Sequence, residues 1–336
     1  MIYCGGIMKK ETIYSIFFLI TFFLPMVSVC LVSSISPSQS SQNTSKDDWY
    51  YLPSYPNYAP EGLPDFDQRQ DHWKASEGIW RYVGGLWSFC GPSCLADIFW
   101  WFDSKHEDPA GFPGDGNSSY PLVRDLQAPG TPTPGPFSDD HNYNNVNDPT
   151  SPWQRGKGQK ELIEQLAWYC NSDYCRYPFI RGVFGTFQKY LEDGAWQWIV
   201  DAGLQDQYHI QAVYHPEFSF ICDHIQHNDA VIVLFLFYRQ HASVFPTFRI
   251  SHYCTVAGVN PAGYIALSDP IQNIQNPGPS PAQHNDAGIV SHDIYAVNFS
   301  CPLPERASWW IPNYYPFGPF KLGGIPTYAL IISEIE

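Results

Sequence analysis

Two strand-forming runs in the second half of the chain constrain its fold more than any other feature. They are His252-Tyr253-Cys254-Thr255-Val256-Ala257-Gly258-Val259 and Tyr264-Ile265-Ala266-Leu267-Ser268-Asp269-Pro270, separated by Asn260-Pro261-Ala262-Gly263. Such runs on either side of a Pro/Gly turn predict an antiparallel hairpin. The start of the first strand then lies beside the end of the second, and His252 and Asp269 occupy those places. Pairing Asp269 with His252 or with Cys254 puts all these side chains on one face, whereas a slip of one residue separates them. A carboxylate so placed fixes the tautomer of an imidazole and stabilises its charged form.

An imidazole held in this way is a base in search of a nucleophile. About 160 residues upstream, Ser88-Phe89-Cys90-Gly91-Pro92-Ser93-Cys94-Leu95-Ala96 supplies a thiol. Leu95, Ile98, Phe99 and Phe102 recur at helical intervals, and a proline just inside a helix start is a standard placement. Cys90 therefore stands at the first turn of a buried helix expected over 91–104. Free N–H groups and the positive dipole end at such a position favour thiolate over thiol.

Taken in order, Cys90-Gly91-Pro92 at a helix start, His252 opening a strand that continues through Thr255, Val256 and Gly258, and Asp269-Pro270 closing the next strand resemble the papain-like cysteine peptidase superfamily. The pattern is most similar to the bacteriocin-processing, double-glycine peptidase-like branch, and it covers residues 90–102 and 252–270. The resemblance implies an α+β, papain-like fold, in which an N-terminal helix carrying the cysteine packs on an antiparallel sheet carrying the histidine and aspartate. It implies Cys90 as nucleophile, His252 as general base and acid, and Asp269 as orienter, with peptide bonds hydrolysed through a Cys90 thioester and no metal or cofactor. The chain departs from that branch at Gly84, where an amide side chain about six residues before the cysteine would support the oxyanion. Gln68 and Gln70 are the nearest glutamines upstream and stand as oxyanion candidates beside the Cys90 N–H. The same machinery also serves amidases and acyltransferases. The alternative from another class is a non-catalytic cell-surface binding module that retains the fold.

Thirty-three acidic against eighteen basic residues give a net charge of −15, which argues against nucleic acid and anionic lipid as partners; a peptide or protein substrate is what the resemblance implies. A hydrophobic fraction of 44% and an aromatic fraction of 17% are enough for a generous core. Lys9 and Lys10 precede an apolar stretch over 13–32, so residues 1–34 read as a signal peptide or a single membrane anchor. Residues 35–47 read as a flexible linker and 48–336 as the peptidase domain. The protein is expected to be secreted or held at the cell surface, with membrane contact only through 13–32. Three Asn-x-Ser/Thr sequons, at Asn43, Asn117 and Asn298, fit export. Of nine cysteines, Cys4 and Cys30 fall in the leader; the remaining seven allow three disulfides and one free thiol. Cys170 and Cys175 are the expected bridge, and Cys90 is expected to stay unpaired.

Further helices are expected over 160–170, over 186–202 and before a buried central strand at 230–238, with later strands at 289–297 and 328–335. Residues 105–155 are nearly all turn formers, an insertion of a length that usually serves recognition and whose composition supplies little core. Cys222-Asp223-His224-Ile225-Gln226-His227 offers metal-capable side chains, but a helix explains the run better. Asp140, Asn142 and Asn144 imitate half a calcium loop that lacks its glycine and its closing glutamate. The His284-Asn285-Asp286 and Ser291-His292-Asp293 runs read as loop caps.

Overall fold

The computed structural model describes residues 49–55, 59, 62–66, 68, 74–75, 86–106, 120–123, 162–172, 185–239, 250–271, 293–303, 306–314 and 322–335. All of them belong to one compact unit, Ser45–Glu336. The expectations for 1–47, most of 105–155, Gln70, Gly84, Cys175, Asn117, the calcium-like run and 284–292 lie outside the described residues.

The fold is mixed α+β, built on an antiparallel sheet. Four helices are described: α1 (Cys90–His106), α2 (Leu162–Tyr169), α3 (Gln188–Asp201) and α4 (Phe218–Gln226). The main sheet contains β1 (Tyr50–Tyr51), β4 (Tyr208–Tyr214), β5 (Ala230–Arg239), β6 (Ile250–Asn260), β7 (Tyr264–Ser268), β8 (Asp293–Ala296), β9 (Ile311–Tyr314) and β10 (Leu322–Glu334), while β2 (Lys74–Ala75) and β3 (Leu86–Trp87) pair separately. Along its main path the order is β4-β10-β5-β6-β7-β8, every neighbour antiparallel. Sequence order and sheet order differ because the last strand, β10, inserts between β4 and β5. Its run of buried apolar residues on both faces suits that central place.

The hairpin forms where the sequence predicts it. Thr255 pairs with Ser268, Val256 with Leu267 and, after a bulge at Ala257, Gly258 with Ala266. The bulge lets β6 change partners along its other edge. Residues 250–255 pair with β5, whereas Gly258 and Val259 pair with β1. Only glycine fits at 258, since a Cβ there would lie 2.4 Å from the Tyr51 ring.

Pleating divides the side chains of β6 between two layers. On one side Thr255 donates from Oγ1 to Asp97 Oδ2 of α1 at 3.0 Å, and Tyr253 Oη reaches Thr186 O at 3.2 Å. His252 and Cys254 alternate with them, on the side of Phe235 and Phe237. There Tyr314 stacks on Phe237 with centroids 4.3 Å apart, and Trp309 meets Phe235 and Phe218 edge-on.

Helix α1 is buried from Cys90 to Ser104 because it is apolar on every side. Phe99 packs on Trp198 of α3, Trp100 meets Phe66, Phe102 meets Tyr208 of β4, and Trp101 Nε1 donates to Pro53 O at 2.8 Å. The expected single apolar face of Leu95, Ile98, Phe99 and Phe102 is thus only part of what the helix buries. The insertion, expected to supply little core, does contribute at Leu122 and Val123, both fully buried. Val123 N–H donates to Asp103 Oδ2 at 2.6 Å, and Trp198 Nε1 donates to Leu122 O at 2.7 Å. Among the described residues no helix is long and apolar enough to cross a membrane.

Candidate active site

Asp269 follows β7 directly. Because Thr255 pairs with Ser268, the next step of the register sets Cys254 opposite Asp269, with His252 on the same side of β6. His252 Nε2 lies 2.7 Å from Asp269 Oδ1, and the two side chains are 3% and 0% exposed. The carboxylate accepts two further hydrogen bonds. Ile271 N–H donates to Oδ1 at 2.9 Å, closing a local turn over Pro270, and the Tyr314 hydroxyl donates to Oδ2. Asp269 therefore ends its strand and orients His252 at the same time.

Burial by itself would lower the His252 pKa. The Asp269 charge beside the ring, with side-chain hydrogen bonds to Asp269 and Cys254, outweighs burial and holds the imidazole well above its ordinary 6.5. Burial also pushes the Cys254 thiol well above its ordinary 9.0, with Asp269 adding to the rise and His252 opposing it. Cys254 is consequently a neutral thiol, and Asp269 is the partner that keeps the imidazole charged. One ligand atom each from His252, Cys254 and Asp269 falls within a span of 4.8 Å, close enough to share a cation. The carboxylate and Nε2 are already committed to the hydrogen bonds above, so the trio forms a hydrogen-bonded relay.

Cys90 is the first residue of α1 and carries a free thiol, 8% exposed against 0% for Cys94 and Cys254. Gly91 permits the close approach of the segment beside it, because a Cβ there would lie 3.1 Å from Thr186 Cβ. Cys90 is near enough to Tyr253, Cys94 and Cys254 for its charge to raise the pKa of each. Among the described residues no hydrogen bond joins Cys90 to His252 or Asp269. The structure thus brings His252 and Asp269 together, adds Cys254 beside them, and sets Cys90 apart from them at the start of α1, on the Tyr253 side of β6.

Gln68, the one described oxyanion candidate, is fully buried against the same turn. Its N–H donates to Pro270 O at 3.0 Å, while its amide Nε2 and Oε1 make no hydrogen bond among the described residues. The neighbouring strap, residues 62–66, is anchored by Ser268 Oγ donating to Pro64 O at 2.8 Å and by Phe66 N–H donating to Asp97 Oδ1 at 2.8 Å.

The metal-capable run at 222–227 is helical through Gln226, and its histidines are engaged locally. His224 Nδ1 lies 2.6 Å from Asp229 Oδ2, and His227 Nδ1 lies 2.6 Å from Asp223 O. Cys90, Cys94, Cys222 and Cys254 carry free thiols. The expected partner of Cys170 lies outside the described residues.

Sequence reasoning missed Tyr314 and Asp97. Tyr314 sits in Ile311-Pro312-Asn313-Tyr314-Tyr315-Pro316, whose two prolines disguise a strand. Asp97 did leave a signal, an acid within an otherwise apolar helix, a setting that requires a partner. No protein-family model and no curated protein sequence matches this chain.

Proposed function

We propose that the protein is a cysteine-nucleophile hydrolase of papain-like architecture, most simply an exported peptidase, with Cys90 as nucleophile, His252 as base and acid, and Asp269 as orienter. The observation that carries this reading is the buried bond of 2.7 Å between His252 Nε2 and Asp269 Oδ1. It commits Nε2 to the carboxylate and keeps the imidazole charged, the state that stabilises a thiolate. In the mechanism, the Cys90 thiolate attacks an acyl carbonyl and His252 passes a proton from Nδ1 to the leaving amine. Water, deprotonated by His252, then hydrolyses the thioester. The Cys90 N–H and the unpaired amide of Gln68 are the two donors for the oxyanion. Cys90 stands with α1 on the Tyr253 side of β6 and His252 on the other, so attack requires the start of α1 and the start of β6 to shift until the thiol meets the imidazole.

The missing hydrogen bond between Cys90 and His252 favours a second reading, a non-catalytic cell-surface binding module with the same scaffold. Iodoacetamide separates the two. Near pH 6 an activated Cys90 alkylates far faster than free cysteine, mass mapping finds the label on residue 90, and His252→Ala abolishes the excess rate. A Cys90 that reacts no faster than free cysteine, in a protein that cleaves no peptide, would assign the scaffold to binding.

A further inference from the structure

The Tyr314 ring lies flat against Phe237 and makes closer contact with Tyr295, whose centroid is 5.1 Å away, than with Phe235 at 6.3 Å. That packing fixes its hydroxyl at the one place where Asp269 Oδ2 and Cys254 Sγ can both meet it, the sulfur at 3.5 Å. Tyr314 comes from β9, which lies outside the hairpin and pairs with the first residues of β10. The two oxygens of Asp269 are thereby held by different elements. Oδ1 faces His252 and the Ile271 N–H, and Oδ2 faces the tyrosine.

We infer that Tyr314 is a positioning residue for the His252–Asp269 pair: its hydroxyl locks the carboxylate rotation that aims Oδ1 at Nε2. This rests on the hydrolase reading for its catalytic consequence, while its effect on His252 does not depend on that reading. Without the hydroxyl, Oδ2 loses the donor that β9 supplies, and the carboxylate is less firmly held against turning. The average bond to Nε2 then weakens, and His252 loses part of the interaction that keeps it charged. The other titratable groups around the pair are Cys254 on β6, Tyr295 and Asp293 on β8, Asp65 on the strap and Cys90 on α1. Of these only Cys254, whose sulfur is 3.5 Å from the hydroxyl, loses a contact in Tyr314→Phe, which retains the ring.

Tyr295→Phe is the matched control, because the Tyr295 hydroxyl makes no hydrogen bond and its ring neighbours that of Tyr314. The His252 ring protons are followed by NMR from about pH 5 to pH 10, and Cys90 alkylation by iodoacetamide is timed near pH 6. Tyr314→Phe is expected to move the His252 titration down toward its ordinary range and to slow alkylation about ten- to hundredfold, the scale of one lost hydrogen bond to a charged group. Tyr295→Phe is expected to change neither. An unchanged or raised His252 titration in Tyr314→Phe, or an equal drop in Tyr295→Phe, overturns the inference. A Tyr314→Phe protein that does not fold overturns it too, by making the hydroxyl a brace of the fold. An unreactive Cys90 in the unaltered protein defeats the hydrolase reading instead, and the NMR arm still decides the role of Tyr314.

Discussion

Gln68 occupies an unusual position for a side chain so fully buried. Leaving amide donors and acceptors unpaired costs about 1–3 kcal/mol, so such groups in folded proteins call for an explanation. Its backbone is pinned to Pro270 O, one residue beyond the carboxylate that orients His252. A donor held beside the turn of the proposed site, with no hydrogen bond among the described residues, fits one that is used only when an oxyanion forms. Gln68→Ala should then lower kcat by about a hundred- to thousandfold, roughly 3 kcal/mol of transition-state stabilisation, while KM stays within about twofold. Steady-state rates on any peptide that the unaltered protein cleaves provide the check. A KM rise with kcat intact would make Gln68 a substrate contact, and no change in either would leave its burial unexplained.

Elements differed in how openly the sequence announced them, and the reasons are physical. Helix α1, the central strand β5 and the β6–β7 hairpin each carry a strong local pattern, which is why His252 and Asp269 were legible as neighbours. The first half of β10 was not. The expected strand began at Tyr328 because Gly323, Gly324 and Pro326 precede it, whereas the observed strand begins at Leu322. The structure accommodates Pro326 at a bulge, where the edge of β10 passes from β9 to β4, so no ladder bond is lost there. Strand β4 escaped notice because its exposed and half-buried residues follow no clean alternation. Cooperation between elements left still less trace. Asp97 ties α1 to the strap at Phe66 and to β6 at Thr255, contacts 31 and 158 residues apart in sequence. Asp97→Ala should strand the Phe66 N–H in the core, leave Thr255 Oγ1 only the longer bond to Cys94 O at 3.4 Å, and cost about 3 kcal/mol, measured by urea unfolding. It should also slow Cys90 alkylation, because the bond to Thr255 fixes α1 against β6. A loss below about 1 kcal/mol would show that water replaces the carboxylate without penalty.

Across the whole molecule, the two ends of α1 have different duties. Its first residue is the proposed nucleophile. Its last turn, about 20 Å away at 1.5 Å per residue, is clamped by ion pairs from Lys105 and His106 to Glu334 at the end of β10. These groups and the site set opposite limits on stability as pH changes. For Glu334, burial would raise the pKa, but hydrogen bonds from His106 and Lys105 outweigh it and hold the carboxylate below its ordinary 4.5. Its contribution is therefore present above about pH 4.5 and is lost as pH falls through the lower folded value. His252 behaves in the opposite sense, because its folded pKa lies above 6.5. Its contribution is complete below about pH 6.5 and is lost as pH rises through the folded value. Cys94 and Cys254 add a further loss. Burial first, then neighbouring charges, hold both thiols neutral in the fold, whereas the unfolded chain ionises them above about pH 9.0. The melting temperature should accordingly peak between about pH 4.5 and 6.5, decline through neutrality and steepen above about pH 9. Replacing His252 with Gln should flatten the decline between about pH 6.5 and 9, and the double variant Cys94→Ala, Cys254→Ala should reduce the steepening to the share of Cys222, which burial raises to about 11. Calorimetry across this range tests each limb separately. A melting temperature that rises between pH 6.5 and 9 in the unaltered protein would mean that His252 is buried neutral, and the charged imidazole on which the proposed chemistry depends would have to be abandoned.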